Sequence, residues 1–249
     1  MNIIYNEDCL VTMARMSDNY VDLTVTSPPY DDLRIYNGYS FDFDAVASEL
    51  YRVTKVGGVV VWIVGDSTLK GTETGTSFRQ ALGFKDVGFN LHDTMIWRKT
   101  NPMPKFKHKR YFDVFEYMFI LSKGQPKTFN PLMQQNKRAG ELYDYTAKLK
   151  TTGKVRKKKT FNINDERYRD NIWEVAVAKN NTEHPAVFPE ALILDHINSW
   201  SNINDIVYDP FIGSGTTALA AVETKRNYIG SEISQEYCKI AEDRLNARG

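Results

Sequence analysis

Short apolar runs alternate with stretches of helical spacing along most of the chain. The runs predict strands near residues 3–5, 21–25, 59–64, 94–97, 114–121, 205–208 and 227–230. Helical spacing is found at residues 10–16, 43–55, 76–88, 189–200, 216–224 and 234–247. The continuous run 59–64 is typical of a strand buried on both faces, and Gly57-Gly58 is predicted to end the preceding helix. This alternation indicates an α/β fold around a mostly parallel sheet.

The hydrophobic period is lost between residues 122 and 181. This segment contains a basic cluster interleaved with the aromatic residues Tyr143, Tyr145 and Phe161. Such clusters neutralise phosphates and stack on bases, although a basic run is more often a solvated loop. A second basic segment, Arg98 to Arg110, favours DNA as the partner. We predict a catalytic domain formed by residues 1–121 and 182–249, with an insert at 122–181.

Composition narrows the class of protein. The chain has 249 residues, of which 42% are hydrophobic, so it can bury one large core. Its formal net charge is only +1, so affinity for a polyanion must come from local clusters. Cys9 and Cys238 lie far apart and form neither a metal-ligand pattern nor a disulfide framework. With no signal segment and no run of about twenty apolar residues, a cytoplasmic protein is expected.

The strand at residues 21–25 leads into Thr26-Ser27-Pro28-Pro29-Tyr30. Proline fixes the backbone and removes a donor, which leaves the Pro28 carbonyl as an acceptor without competition. Together with the Ser27 hydroxyl it provides an acceptor pair for an exocyclic amine, and Tyr30 provides a ring for stacking. Ligands collect at the carboxyl ends of such strands. A turn of this kind after a strand is, however, about as often purely structural.

A second turn follows the strand at residues 205–208. It reads Asp209-Pro210-Phe211-Ile212-Gly213-Ser214-Gly215-Thr216-Thr217 and opens a helix. Glycines let backbone N–H groups approach a ligand at a helix N-terminus. The next strand ends near Glu232, where a carboxylate can bind two ribose hydroxyls. No lysine follows the loop, which argues against a nucleoside triphosphate and favours another nucleoside cofactor.

Taken together, these motifs resemble the S-adenosylmethionine-dependent DNA amino-methyltransferases. Ser27 to Tyr30 resembles motif IV, and Asp209 to Thr217 resembles motif I. Because motif IV precedes the basic insert and motif I comes last, the order is similar to that of the β group. The resemblance implies a Rossmann-like, doubly wound, mostly parallel seven-stranded sheet with a circularly permuted motif order and a small target-recognition insert. It also implies S-adenosyl-L-methionine as the cofactor and a base rotated out of double-stranded DNA as the substrate.

The resemblance extends to three shorter segments. His184 to Pro189 is similar to motif X, and Asn6 to Cys9 is similar to the adenine-contacting turn, although Glu7 stands where glycine is usual. Trp97 to Pro104 looks like the segment that leads to the DNA cleft. From the residues alone, Asp8 is equally well explained as a helix N-cap. Glu116 is expected either to face the active site or to pair with a nearby cation, and the pairing is favoured.

Three groups of functional residues follow from the resemblance. The catalytic residues are Ser27, Pro28, Pro29 and Tyr30. The residues expected to bind the cofactor are Asp8, Cys9, His184, Pro185, Phe188, Asp209, Phe211, Gly213, Ser214, Gly215, Thr216, Thr217 and Glu232. The residues expected to contact DNA are Arg34, Tyr36, Arg98, Lys99, Asn101, Lys105, Lys107, Lys109, Arg110, Lys157, Lys158 and Lys159.

These expectations favour a site-specific DNA methyltransferase of a prokaryotic or phage modification system. Serine in motif IV is commoner among relatives that make N4-methylcytosine, so cytosine is favoured and N6-adenine is the alternative. RNA or protein-glutamine targets are disfavoured by the motif order, and an inactive DNA-binding module is disfavoured by the intact motifs. A monomer or homodimer is expected, and a cognate restriction endonuclease acting separately is a further candidate partner.

Overall fold

The protein is described by a computed structural model covering residues 1–29, 42–102, 109–145, 159–177 and 188–248. The strands of the first half are β1 (Ile3–Tyr5), β2 (Val21–Thr26), β3 (Thr54–Val64), β4 (Thr68–Leu69), β5 (Thr72–Glu73), β6 (Asn90–Lys99) and β7 (Phe115–Ser122). Those of the second half are β8 (Met133–Gln135), β9 (Leu142–Tyr145), β10 (Lys159–Asn162), β11 (Glu166–Tyr168), β12 (Ile172–Val175), β13 (Ile206–Asp209) and β14 (Asn227–Ser231). The helices are α1 (Cys9–Ala14), α2 (Phe43–Val53), α3 (Thr76–Asp86), α4 (Glu190–Trp200), α5 (Thr216–Glu223) and α6 (Gln235–Asn246).

The chain divides into two compact units, Met1–Asn130 with Asn171–Gly249, and Pro131–Asp170. We call them the main unit and the small unit. The small unit is shorter than the predicted insert at 122–181, because the chain on both sides of it belongs to the main unit. None of the described helices is both long and apolar enough to cross a membrane.

The main unit is built around an eight-stranded sheet with the order β1-β14-β13-β2-β3-β7-β6-β12. Only β7 runs antiparallel to its neighbours, so the prediction of a mostly parallel α/β sheet is confirmed. The sheet has one strand more than the seven predicted. The additional strand, β12, pairs in parallel with β6 and buries Trp173. Its alternating segment Ile172-Trp173-Glu174-Val175 was missed because it follows a long polar stretch.

Both faces of the sheet are covered. Successive side chains of a strand point to opposite faces, and on β3 Val60, Trp62 and Val64 join a core with residues from α1, α2 and α3. The intervening Val61 and Ile63 are also buried. On the other face of the sheet, α5 packs between α4 and α6, and α4 contacts β2. This double cover explains why β3 is a continuous apolar run.

The predicted end of α2 is wrong. The helix stops at Val53, and β3 begins at Thr54, so Gly57 and Gly58 lie inside a strand. A side chain at Gly58 would place its Cβ 2.9 Å from the carbonyl oxygen of Asp22 on β2. Gly58 therefore permits the close approach of β2, and neither glycine terminates the helix.

The small unit contains two antiparallel pairs, β8 with β11 and β9 with β10. No buried face was predicted here, and nearly every residue of these strands is exposed. A strand exposed on both sides has no apolar alternation, which explains why the sequence pattern did not reveal these strands.

Candidate active site

The carboxyl ends of β2 and β13 lie side by side in the main sheet, with Tyr208 paired to Thr24. From β13 the sheet continues to β14 and β1, and from β2 it continues in the other direction to β3. A reversal of strand order opens a crevice that binds ligands in open α/β sheets. Residues 27–29, which we call the proline corner, and residues 210–215, which we call the glycine loop, follow these two strands. The structure thus brings together the two segments that the sequence analysis singled out.

A single buried carboxylate joins the two segments. Asp209 Oδ1 accepts hydrogen bonds from Thr26 Oγ1 at 2.6 Å and from the Phe211 amide at 3.0 Å. Asp209 Oδ2 accepts one from Thr217 Oγ1 at 2.6 Å. Asp209 is only 4% exposed. Both Asp209 and Thr217 were predicted to bind the cofactor, and the structure shows that their polar side-chain atoms bind each other.

Burial raises the pKa of Asp209 to about 6, against the opposite effect of the bonds from Thr217 and Thr26. The folded state therefore takes up a proton near pH 6, whereas an unfolded carboxyl, with an ordinary pKa of 3.8, does so about two pH units lower. Between these values the folded state binds more protons, so the contribution of this group to stability rises as the pH falls.

We expect the wild type to gain about 2 kcal/mol of unfolding free energy relative to Asp209→Asn between about pH 7 and pH 4. Urea unfolding of both proteins across this range measures the difference, in which the effects of other titrating groups cancel. A stability difference that does not change with pH would contradict the prediction.

The glycine loop is held by hydrogen bonds that its backbone amides donate. The Ile212 amide donates to the Ser231 carbonyl at 3.0 Å, and the Gly213 amide donates to Glu232 Oε2 at 3.0 Å. Gly213 and Gly215 both have positive φ, and Gly215, at +82°, is the N-cap of α5. A Cβ atom added at Gly215 would lie 2.7 Å from Cβ of Ala241 on α6. Glycine is therefore required here both by the backbone conformation and by the close approach of α6.

Replacing Gly215 with alanine tests this requirement, and Gly71→Ala is its matched control. Gly71 has a similar φ of +85°, but an added Cβ would meet nothing within 4 Å. We expect Gly71→Ala to cost about 1–2 kcal/mol from the left-handed backbone alone. Gly215→Ala should cost at least about 1 kcal/mol more, because α6 must shift. Equal losses in urea unfolding would show that the contact with α6 is not tight.

Glu232 lies just beyond the end of β14, next to the glycine loop. Its Oε2 atom binds the Gly213 amide, and its Oε1 atom accepts from the Ser234 amide at 2.8 Å. Burial raises the pKa of Glu232 above its ordinary value, and the amide bonds partly offset this effect. A partly buried carboxylate is thus oriented at the crevice, as the predicted contact with ribose requires.

The turn between β1 and α1 lies beside Glu232. Asn6 Nδ2 donates to the carbonyls of Glu232 and Ile233 at 2.9 and 3.1 Å. Asp8 caps α1 by accepting from the Leu10 amide at 2.7 Å, so the alternative interpretation of Asp8 as an N-cap describes a real contact. Cys9 is buried, and burial raises the pKa of its thiol to about 12. The adenine-binding role of Asp8 and Cys9 stays a prediction.

Two aromatic contacts connect predicted cofactor residues to the sheet. Phe211 of the glycine loop meets Trp62 of β3 edge to face, with ring centroids 6.3 Å apart. Phe188 meets Trp97 of β6 at 6.4 Å in a tilted arrangement. Aromatic pairs of this kind hold rings in defined orientations. Both phenylalanines were predicted to line the cofactor, and both are anchored to the sheet.

Most of the described cations predicted to contact DNA bind carboxylates of the protein. Arg98 pairs with Glu174, and Arg110 pairs with Glu73. Lys99 Nζ lies 2.7 Å from Glu116 Oε1, and both side chains are largely buried. The favoured interpretation of Glu116 as the partner of a nearby cation is therefore confirmed.

Asn101 also has an internal partner. It exchanges two hydrogen bonds with the backbone of Val177, one of them at 2.6 Å. Lys109 and Lys159 are exposed, as Arg98, Asn101 and Arg110 are, but neither lysine pairs with a carboxylate of the described residues.

Several predicted residues lie outside the described part of the chain. They are Tyr30, Arg34, Tyr36, Lys105, Lys107, Lys157, Lys158, His184 and Pro185.

Arg244 contacts the glycine loop, and this contact was not predicted from the sequence. It projects from α6, and its Nη1 atom donates to the Ser214 carbonyl and to Ser214 Oγ, the latter at 2.9 Å. Arg244 therefore holds the glycine loop from the side of α6. Its position three residues after Ala241 places both on one side of the helix, but helical spacing alone does not show which element they meet.

Comparison with known proteins provides independent information. A family model described as DNA methylase (N6_N4_Mtase) matches residues 21–243. The orphan methyltransferase M.BamHII of Bacillus amyloliquefaciens is 55% identical, over 92% of this chain and 90% of that protein. The type II methyltransferase M.BglII of Bacillus subtilis is 30% identical, over 97% of this chain and 68% of that protein.

Solved structures show the same fold. The PvuII DNA methyltransferase, described as cytosine-N4-specific, superposes with a TM-score of 0.73 at 21% identity, covering 97% of this chain and 85% of that one. M1.HpyAVI in complex with S-adenosylmethionine superposes with a TM-score of 0.65 at 25% identity, covering 97% of this chain and 98% of that one.

Proposed function

Since the chain belongs to the DNA methylase family, we propose that it transfers a methyl group from S-adenosyl-L-methionine to the exocyclic amino group of a base in double-stranded DNA. The observation that carries this proposal is the 2.6 Å hydrogen bond between Thr26 and Asp209. It joins the residue before Ser27 to the residue before the glycine loop. The bond therefore supports a shared crevice for the proposed amine acceptor site and the proposed cofactor site.

The cofactor fits the residues of the crevice. Gly213, Ser214 and Gly215 of the glycine loop present backbone with only one small side chain among them, and the partly buried carboxylate of Glu232 suits a pair of ribose hydroxyls. When bound, the sulfonium supplies an electrophilic methyl group. M1.HpyAVI, which superposes on this chain, has been solved with this cofactor.

The proline corner would activate the amine. The lone pair of an aromatic amine is delocalised into its ring, which makes the nitrogen a poor nucleophile. Hydrogen bonds from its two N–H groups to Ser27 Oγ and the Pro28 carbonyl would draw the nitrogen toward tetrahedral geometry. Positioning and electrostatic stabilisation would then supply most of the rate enhancement.

We propose N4 of cytosine as the target atom, with Ser27 in motif IV as the support for this choice. Synthetic duplexes methylated with labelled cofactor and then digested to nucleosides provide the test. Label in N4-methylcytosine is expected. Label found only in adenine would replace cytosine with the alternative target, and an absence of label in DNA would overturn the proposed function.

We further propose that residues 122–181 include the surface that recognises the target sequence. Within the small unit, Pro131–Asp170, the sequence has eleven lysines and arginines against five aspartates and glutamates. The whole chain has a net charge of only +1, so the positive charge is concentrated in this unit. A local excess of this kind attracts the phosphate backbone.

Removing three charges from the cluster Lys157-Lys158-Lys159 should reduce the salt dependence of duplex binding. Three phosphate contacts correspond to a change of about 2.7 in the slope of log K against log salt concentration. A triple substitution of the exposed Lys85, Lys225 and Lys239 of the main unit removes the same charge and is the control. Equal slopes for the two triple variants would show that the cluster is a solvated loop that does not contact phosphates.

The oligomeric state, monomer or homodimer, and a cognate restriction endonuclease stay predictions.

A further inference from the structure

We propose that Thr26 is a positioning residue for methyl transfer, acting through Asp209. This inference rests on the proposed function and extends it to a residue outside the predicted catalytic and cofactor-binding sets. Thr26 is fully buried and immediately precedes Ser27, so its side chain cannot contact the reacting groups. Its role is to hold the proline corner in place relative to the glycine loop.

The carboxylate of Asp209 receives hydrogen bonds from three places in the chain. They are the last residue of β2, the amide of Phe211 in the glycine loop, and Thr217 in the first turn of α5. The strand that carries the acceptor groups is therefore connected through one side chain to both parts of the predicted cofactor site. The bond from Thr26 links the end of β2 to this site through side chains alone.

The connection matters because group transfer is sensitive to distance. The amine held by the corner must lie in line with the methyl group, and a misplacement of about 1 Å can lower the rate about 100-fold. Pairing of β2 with β13 ends at Thr24. The last two residues of β2 are paired with β3 on the other side, so only other contacts can connect them to β13. The Thr26–Asp209 bond supplies such a contact just before the corner.

Thr24 provides a matched comparison within the same strand. Like Thr26 it is fully buried, but within the described structure its Oγ1 atom has no hydrogen-bond partner. Threonine to valine replaces this hydroxyl with a methyl group of similar size. Both substitutions replace a buried hydroxyl of β2 with a methyl group. Only the substitution at position 26 also removes the bond to Asp209, so the substitution at position 24 is its control.

The experiment compares Thr26→Val and Thr24→Val with the wild type, using labelled cofactor and a duplex that the wild type methylates. We expect Thr26→Val to lower kcat at saturating cofactor and duplex by about 10-fold or more, with KM for the cofactor nearly unchanged. Thr24→Val should retain the wild-type kcat. Thr26→Ser keeps the hydroxyl and should restore most of the activity. A merely structural role would lower the melting temperature without lowering kcat well below that temperature.

Wild-type kcat in a folded Thr26→Val protein would overturn the inference and leave the proposed function intact. A failure of the wild type to label any duplex would instead overturn the proposed function, and this inference with it. If Thr26→Val does not unfold cooperatively, Thr26→Ala serves in its place, because it puts no methyl group beside the carboxylate. The same loss of kcat is expected of it, and wild-type kcat would again overturn the inference.

Discussion

Replacing Ser27 with alanine is expected to lower kcat for methyl transfer by about 10²–10³-fold, the effect of losing one preorganised hydrogen-bonding group at a reacting centre. Affinity for S-adenosylmethionine should remain unchanged, since the glycine loop and Glu232 are untouched. The loss should therefore reside in kcat. Single-turnover transfer to a labelled duplex, together with calorimetry of cofactor binding, measures the two quantities separately.

Ser27→Asp is the matched variant, because it keeps an acceptor oxygen at the same position. It should retain more activity than Ser27→Ala at every pH at which the carboxylate is ionised. A Ser27→Ala protein with the wild-type rate would mean that the hydroxyl does not hold the amine. The proposed activation of the base would then have to rest on the Pro28 carbonyl alone.

Replacing Glu232 with alanine is expected to raise the Kd for S-adenosylmethionine by about 10- to 100-fold, because hydrogen bonds to a charged group contribute about 1.5–3 kcal/mol. The substitution also removes the acceptor of the Gly213 amide, which loosens the glycine loop. Affinity for the duplex should be largely unchanged. Calorimetry with the cofactor and fluorescence titration with the duplex measure the two affinities.

Two further variants test whether the charge of Glu232 itself contributes to cofactor affinity. Glu232→Gln keeps an oxygen for the Gly213 amide and removes the charge, so it should lose less affinity than the alanine variant. Glu236→Ala changes an exposed carboxylate in the first turn of α6 and should bind the cofactor normally. If Glu232→Ala binds as tightly as Glu236→Ala, the carboxylate at position 232 does not contact the cofactor.

Much of the fold was predictable because buried strands and amphipathic helices leave strong periodic patterns. The run at residues 59–64 identified β3 as a strand covered on both sides, and the packing of α1 to α3 on one face agrees. The boundary between α2 and β3 was not predictable from the glycines. Whether Gly57-Gly58 ends a helix or permits close strand pairing depends on β2, which is distant in sequence.

In the candidate site, too, local residue types were predictable and contacts between distant residues were not. The residue types of the proline corner, the glycine loop and Glu232 are enough to indicate the chemistry that these segments can perform. The internal ion pairs of Arg98 and Lys99 were not predictable, because Glu174 and Glu116 meet them only through strand pairing. Charge in a sequence therefore indicated where DNA could bind, but it did not indicate which cations are already neutralised.

Reading the residues in order was enough to infer the succession of most strands and helices, the two motifs that end strands, and the residue types on which the proposed chemistry depends. These properties are local, since they depend on residues a few positions apart. The tertiary structure alone decided that Thr26 and Asp209, 183 residues apart in the chain, share a hydrogen bond, and that Arg244 supports the glycine loop. Such contacts depend on which strands and helices become neighbours, and no local pattern of residue types records that choice.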